Sequence, residues 1–257
     1  MTFRPLILLP CLLICATLRA EEATLAFAEA NRLYESGDHA AAATAYESLA
    51  AAGHLSADLY YNLGAAKEKL GRSGEAVLWM RRAALLEPGM PEARQSLGHL
   101  RTRLAFFEFG ETWLDRTIAA LPAGFGRWAS SLALWGGLLA FAAAFVVPRL
   151  QPNRSAFVTL GLVLLMAAFV FSRVGRYREH RLAPERFTIV IGENVNAVTA
   201  PTSDAKTVVA LPPGSELRLL RVAGPWTYAE IPGDLRGWIR TEAIRPVWPL
   251  PASPAES

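Results

Sequence analysis

The side chains that most often carry chemistry in enzymes are few in this chain and lie far apart. The two cysteines, Cys11 and Cys15, both belong to an apolar N-terminal segment. The histidines show no spacing typical of metal ligands or of a catalytic pair. They are His39, His54, His99 and His180. The sequence also contains no HExxH, GxSxG or GxxxxGK motif. We therefore predict a protein that is not an enzyme and that uses no metal and no cofactor.

The charge balance excludes nucleic acid as a partner. The formal net charge is +3, and this figure includes Arg4 and Arg19 of the N-terminal segment. A chain cut after Ala20 would carry a charge of only about +1. A nucleic-acid-binding surface normally needs a pronounced basic excess.

Residues 1–20 have the form of a secretory signal. Arg4 precedes an apolar run, and Ala20 stands before two acidic residues. We predict cleavage after Ala20, which would leave a mature chain without cysteine. The alternative is an uncleaved anchor helix, and in both cases the chain from Glu21 onward is expected to be exported.

Two uncharged apolar stretches, residues 128–147 and 155–172, predict a transmembrane helical hairpin. As helices they reach about 30 and 27 Å, which is enough to cross the hydrocarbon core of a bilayer. Small residues, among them Ala133, Gly137 and Ala144, would let the two helices approach closely. The segments before and after a hairpin lie on the same side of the membrane.

Two signals disagree about which side this is. The signal peptide places both flanking domains in the periplasm of a bacterial inner membrane, which is our prediction. Arginines are concentrated in the predicted basic linker, residues 173–185, and the positive-inside rule favours the cytoplasm for such a cluster. The alternative is that these arginines lie against anionic lipid headgroups.

A repetition of 34 residues precedes the hairpin. Gly37 and Gly71 are separated by this interval, and so are Gly64 and Gly98. The second copy, residues 57–88, reads ADLYYNLGAAKEKLGRSGEAVLWMRRAALLEP and resembles the tetratricopeptide repeat. Gly64 suits a close helix contact, and Gly71 suits a left-handed helix end.

The repeats are predicted to occupy residues 23–110, as about two and a half copies. The third copy begins at Pro91 and is expected to run on as a long helix towards Phe107 that caps the array. Residues 111–127 allow two interpretations. They form an amphipathic helix at the membrane interface, or they continue the packing face of the last repeat.

The resemblance to tetratricopeptide repeats implies a concave groove lined by the first helix of each copy. The side chains expected in this groove bind a protein partner. The alternative is that they only keep the helices at the right distance from one another. They are Phe27, Asn31, Tyr34, Tyr61, Asn62 and Lys69.

Residues 186–248 predict a small β-domain. Short β-rich runs alternate with turns rich in proline and glycine, which is typical of a small barrel. GPWTYAEI and Gly237-Trp238-Ile239 resemble strands of a bacterial SH3-type domain. Trp226 and Trp238 are expected to pack in the barrel, and Tyr228 is the candidate for ligand binding. The proline-rich tail, residues 249–257, is predicted to be disordered.

The order of these parts predicts a multidomain membrane protein: an all-α repeat solenoid, a two-helix transmembrane hairpin and a small all-β SH3-like barrel. The whole resembles a BatE-type protein of the aerotolerance operon. That resemblance implies a non-enzymatic membrane scaffold in envelope integrity or stress tolerance. Its implied partners are Bat proteins with von Willebrand A domains and a MoxR-type ATPase. The alternative is a receptor that binds peptidoglycan stem peptides through the barrel.

Overall fold

The computed structural model describes residues 8–110, 112–122, 124–181 and 186–248, and it combines a helical array, a β-sheet and two long apolar helices. The chain divides into two compact units. The first comprises Met1–Phe109 and Pro184–Ser257, and the second comprises Gly110–Ala183. The predicted disordered tail, residues 249–257, and the first seven residues of the predicted signal lie outside the described residues.

The helical part of the first unit consists of five helices. They are α1 (Leu8–Glu35), α2 (His39–Ala51), α3 (Ala57–Lys69), α4 (Ser73–Leu86) and α5 (Pro91–Leu104). The helix α1 is continuous across the predicted cleavage site after Ala20. Asp38 caps the start of α2 by accepting a hydrogen bond from the backbone N–H of Ala41 at 3.0 Å.

Two glycines have the roles that their spacing predicts. Gly71 has a φ of 76°, the left-handed conformation that ends α3. Gly64 lies where α3 meets α4, and a Cβ atom placed on it would lie 2.8 Å from Cγ of Met80. Both predictions are confirmed, and the close contact helps to bury Tyr60 and Leu63 completely in the core of the array.

The prediction of a long third helix towards Phe107 is wrong. The helix α5 ends at Leu104, because Ala105 adopts a left-handed conformation with a φ of 52°. The chain then runs extended beside the β-sheet. The carbonyl of Phe107 accepts a hydrogen bond from the N–H of Glu216 at 2.8 Å, and the N–H of Phe107 donates to Oγ of Ser215 at 3.2 Å.

The β-part of the first unit is a seven-stranded antiparallel sheet with the order β3-β2-β6-β5-β4-β1-β7. Its strands are β1 (Phe187–Val190), β2 (Val195–Val198), β3 (Thr207–Leu211), β4 (Glu216–Ala223), β5 (Trp226–Ile231), β6 (Leu235–Arg240) and β7 (Ile244–Pro246). All seven strands contribute side chains to one buried core, so the sheet curls around that core. The β-rich runs that the sequence predicts coincide with strands β1 to β6, and the short strand β7 was not predicted.

The sheet packs directly on α4. A Cβ atom placed on Gly74 would lie 2.6 Å from the carbonyl oxygen of Val190, so only glycine permits this approach. Arg82, which is 3% exposed, donates hydrogen bonds to the carbonyl oxygens of Pro246 at 3.0 Å and of Val247 at 3.2 Å. The repeat region and the β-domain therefore form one compact unit.

Charged and aromatic side chains complete this packing. Arg81 pairs with Glu216 at 2.7 Å and also with Glu108. The rings of Phe109 and Phe187 meet edge to face, with centroids 5.9 Å apart. Phe109, where the chain leaves the first unit, and Phe187, soon after the chain returns to it, therefore lie side by side.

The second unit contains a helical hairpin. Its elements are α6 (Trp113–Ala119), α7 (Phe125–Val146), a 3₁₀ turn (Pro148–Asn153) and α8 (Arg154–Arg181). Both α7 and α8 are long and apolar enough to cross a membrane. They pack through small residues, and a Cβ atom placed on Gly137 would lie 3.0 Å from the carbonyl oxygen of Gly161. Ala133 and Ala144 are buried in this contact, as predicted.

Two features of the second unit differ from the sequence analysis. The helix α8 continues through residues 173–181, so most of the predicted basic linker is helical. Residues 113–119 belong to the second unit, where Asp115 accepts a hydrogen bond from the Tyr177 hydroxyl at 2.7 Å. For these residues, the interpretation as the packing face of the last repeat is therefore wrong.

Candidate partner-binding groove

A cavity of about 370 Å³ lies among the helices of the first unit. Its lining comes from α1, α3, α4 and α5, and no strand contributes to it. The lining residues are Tyr34, Tyr61, Ala65, Glu68, Lys69, Met80, Ser96 and Arg103. The cavity combines aromatic and apolar surface with three charged groups and two kinds of hydroxyl, a mixture suited to a protein segment.

Three of the six predicted groove residues, Tyr34, Tyr61 and Lys69, line this cavity. They come from α1 and α3, the first helices of successive copies, as the repeat pattern predicts. The hydroxyl groups of Tyr61 and Ser96 lie 3.4 Å apart, which links α3 to α5. The Lys69 side chain is exposed at the end of α3.

The other three predicted residues lie beside the cavity and make contacts within the array. Asn31 accepts hydrogen bonds from the Tyr46 hydroxyl at 2.6 Å and from Nδ2 of Asn62 at 3.0 Å. Phe27 packs against Tyr46, with ring centroids 5.9 Å apart. These residues therefore tie α1 to α2 and α3.

Helix α5 contributes two lining residues, Ser96 and Arg103, that are not among the predicted groove residues. Arg103 forms an ion pair with Glu68 at 3.0 Å, and both residues line the cavity. Ser96 directly precedes the Leu-Gly pair of the third copy, so the repeat spacing offered a signal for it. Arg103 lies 34 residues after the predicted groove residue Lys69, so the same spacing offered a signal for it as well.

The ionisation of Tyr34 and Tyr46 is shifted by their surroundings. Burial raises the pKa of Tyr34, and the nearby Tyr61 and Glu68 raise it further. Burial also raises the pKa of Tyr46 to about 12, although its hydrogen bond with Asn62 opposes the shift. Both shifts extend the pH range over which these hydroxyl groups stay protonated beyond that of a free tyrosine.

The β-domain presents a second candidate, Tyr228, on the outer face of the sheet. Its ring and that of Trp238 are half-exposed, and their centroids are 5.1 Å apart. Trp226 is 9% exposed, and the Arg240 guanidinium lies 4.7 Å from its ring centroid. Trp226 is thus buried under Arg240 on the same face of β5 as Tyr228, and neither Trp226 nor Trp238 belongs to the core cluster that the strands enclose, so the prediction that they pack in the barrel is wrong.

Within the part of the chain that the structure describes, no group of three or more His, Cys, Asp or Glu side chains is arranged to hold a metal ion. The His39 ring packs against Tyr34, with centroids 4.9 Å apart, and contributes to the fold at the α1–α2 turn.

Comparison with known proteins adds no assignment, since neither a protein-family model nor a curated protein is significantly similar to this chain.

Proposed function

We propose that this protein is a non-enzymatic membrane scaffold of the tetratricopeptide-repeat type. The groove of α1, α3 and α5 would bind a segment of a protein partner, and the hairpin would anchor the chain in a bacterial inner membrane. The observation that carries the proposal is the cavity lined by Tyr34, Tyr61 and Lys69. The β-domain would correspond to an SH3-type barrel, and the order of parts to a BatE-type protein.

The packing of the sheet supports a rigid groove. The sheet contacts α4 through Gly74 and Arg82, whereas the cavity is lined by other residues. The sheet thus stabilises the helical array without filling the groove. An array of two and a half repeats is short, and each repeat needs a neighbour on which to bury its apolar face.

The exposed side chains of α7 and α8 support the anchor. Leu139 is 67% exposed and Phe169 is 64% exposed. Large apolar side chains in such numbers on two adjacent helices are costly in water and are suited to a bilayer. The proposed partners are membrane-associated proteins, namely Bat proteins with von Willebrand A domains and a MoxR-type ATPase system.

A charge reversal in the groove tests partner binding. The full-length protein is purified from membranes as the wild type, as Lys69→Glu and as Lys206→Glu, and the co-purifying proteins are compared. Lys206 is an exposed lysine of the β-domain, so its variant matches the charge change outside the groove. We expect Lys69→Glu alone to lose the partner. Equal recovery from all three forms would contradict the proposal.

The proposed periplasmic location needs a separate test. Ala52 and Ser203 are exposed positions of the first unit, and each is replaced by cysteine in a chain that lacks Cys11 and Cys15. We expect an impermeant maleimide to label both positions in intact spheroplasts. Protection of both positions until lysis would place the first unit in the cytoplasm.

The stacked pair Tyr228–Trp238 favours a second candidate function, that of a receptor for peptidoglycan stem peptides. Exposed aromatic rings offer flat surfaces on which glycan and peptide groups stack. Calorimetric titration of the full-length protein with muropeptides would show binding that Tyr228→Ala abolishes. Leu220→Ala, at an exposed position of β4, serves as the control.

A further inference from the structure

One end of the α7–α8 hairpin carries three exposed arginines at the same level. Gly126 and Gly175 are in contact there, since a Cβ atom placed on Gly126 would lie 2.5 Å from Cα of Gly175. Arg127 follows the first glycine, and Arg173 and Arg176 flank the second. These arginines directly adjoin the two uncharged stretches, so they would lie where the bilayer core ends.

The short helix α6 is fixed to the same end of the hairpin. Asp115 of α6 accepts a hydrogen bond from the Tyr177 hydroxyl, and Arg178 donates to backbone carbonyls at the C-terminal end of α6. Helix α6 begins with two exposed apolar side chains, since Trp113 is 76% exposed and Leu114 is 40% exposed. An exposed tryptophan beside an apolar span is typical of the membrane interface.

The arginines at this end have different environments. Arg178 donates hydrogen bonds to the carbonyl oxygen of Ile118 in α6 and to that of Pro122 beyond the end of α6, and Arg176 donates to Oγ of Ser172 at 3.3 Å. Among the described residues, no carboxylate forms an ion pair with Arg127, Arg173 or Arg176. Within the described residues, this end of the hairpin therefore presents three exposed arginines without an ion-pair partner next to exposed apolar side chains, and Glu179 is the exposed carboxylate that follows Arg176 by one turn of α8.

We propose that this end of the hairpin binds anionic phospholipid headgroups. The guanidinium groups of Arg127, Arg173 and Arg176 would donate hydrogen bonds to the phosphodiester oxygens of a headgroup that carries no cation to offset their negative charge. Trp113 and Leu114 would lie against the upper acyl chain. The inference rests on the membrane anchor of the proposed function, and it accounts for the arginine cluster without a cytoplasmic location for its flanks.

The test uses the full-length protein in neutral detergent. Native mass spectrometry measures the Kd for phosphatidylglycerol and for phosphatidylcholine with the same acyl chains. The variant Arg173→Gln/Arg176→Gln removes two charges from the proposed site. The control Arg149→Gln/Arg154→Gln removes two charges from the other end of the hairpin.

We expect the wild type to prefer phosphatidylglycerol. We also expect Arg173→Gln/Arg176→Gln to raise the Kd for phosphatidylglycerol about 30-fold. This is the equivalent of about 2 kcal/mol for two basic residues. Binding of phosphatidylcholine should not change, and the control should match the wild type. An equal loss in both variants, or no headgroup preference, would overturn the proposal.

Two further outcomes would also overturn it. Inorganic phosphate that competes at the same concentration as the lipid would show a site for free phosphate. Loss of a co-purifying protein in Arg173→Gln/Arg176→Gln, with unchanged lipid binding, would assign the arginines to a protein interface. Alkaline carbonate extraction distinguishes a failure of the proposed membrane anchor from a failure of the proposed lipid site. A chain released by carbonate would refute the membrane anchor itself, whereas a retained chain without lipid preference would refute only this inference.

Discussion

Substituting Gly74 tests whether the helical array and the β-sheet form one unit. In Gly74→Ala the new methyl group would lie 2.6 Å from the carbonyl oxygen of Val190 and 2.7 Å from Cα of Ile191. Both are backbone atoms of the sheet, so no side-chain rotation relieves the contact. The sheet would have to move by roughly 0.8 Å to restore an ordinary contact distance, a distortion comparable to other cases of overpacking.

We expect this substitution to lower the free energy of unfolding by about 2 kcal/mol, within the range typical of overpacked contacts. For a unit of this size, that loss corresponds to a fall in Tm of about 4–8 °C. The loss of stability should be greatest in the strand that Gly74 contacts. The carbonyl of Val190 also accepts a hydrogen bond from the N–H of Gly214 at 2.8 Å, and displacement of the strand weakens that bond.

Gly98→Ala is the matched control. Gly98 is also a helical glycine, but a Cβ atom placed on it meets nothing within 4 Å. Alanine there should stabilise the protein by up to about 1 kcal/mol through helix propensity. Thermal unfolding of the full-length protein in detergent measures both variants, and hydrogen exchange of residues 187–191 measures the local effect. A Gly74→Ala variant as stable as Gly98→Ala, with unchanged exchange in β1, would refute the packing described here.

Three other substitutions test separate contacts. Arg82→Met removes two buried hydrogen bonds to backbone carbonyls and should cost about 2 kcal/mol, with faster hydrogen exchange at Val247; unchanged exchange would contradict the contact. Because the pKa of Tyr46 is raised to about 12, the stability that its protonated hydroxyl provides is complete below pH 10 and is lost as the pH rises through about 12. The ultraviolet difference titration of wild type against Tyr46→Phe should therefore have its midpoint near pH 12, and a midpoint near pH 10 would refute burial as the cause. Gly126→Leu should separate the helices of the hairpin and lower its Tm in detergent, whereas Gly136→Leu, where a Cβ atom lies 3.4 Å from its nearest neighbour, should be tolerated.

Local sequence signals predicted the elements and their internal contacts. Gly71 ends a helix because its conformation depends on the residue itself, and Gly64 marks a close helix contact that the repeat spacing reveals. The strands were predictable because period-two alternation survives in short runs such as residues 187–191. Three of the eight lining residues of the groove, Tyr34, Tyr61 and Lys69, could be predicted in the same way, since they lie on the first helices of successive copies.

Contacts between distant parts of the chain were not predictable. Ala105 has no local reason to adopt a positive φ, and the left-handed turn accompanies the hydrogen bonds that the following segment makes with the sheet. Gly74 and Arg82 look like ordinary helix residues in the sequence, although they join α4 to the sheet. Arg103 of the groove, in contrast, is the basic residue 34 positions after Lys69, so the repeat spacing alone could have identified it.

Photo-crosslinking from inside the groove tests the central claim most directly. Ala65 lines the cavity, and Ala51, which is exposed on α2, provides a matched position outside it. Each is replaced by p-benzoylphenylalanine in the full-length protein, and membranes are irradiated. We predict that Ala65 gives a discrete crosslinked protein that Ala51 does not give and that Lys69→Glu removes. No product from Ala65, or the same product from both positions, would contradict the account of this protein as a scaffold that binds its partner in the groove.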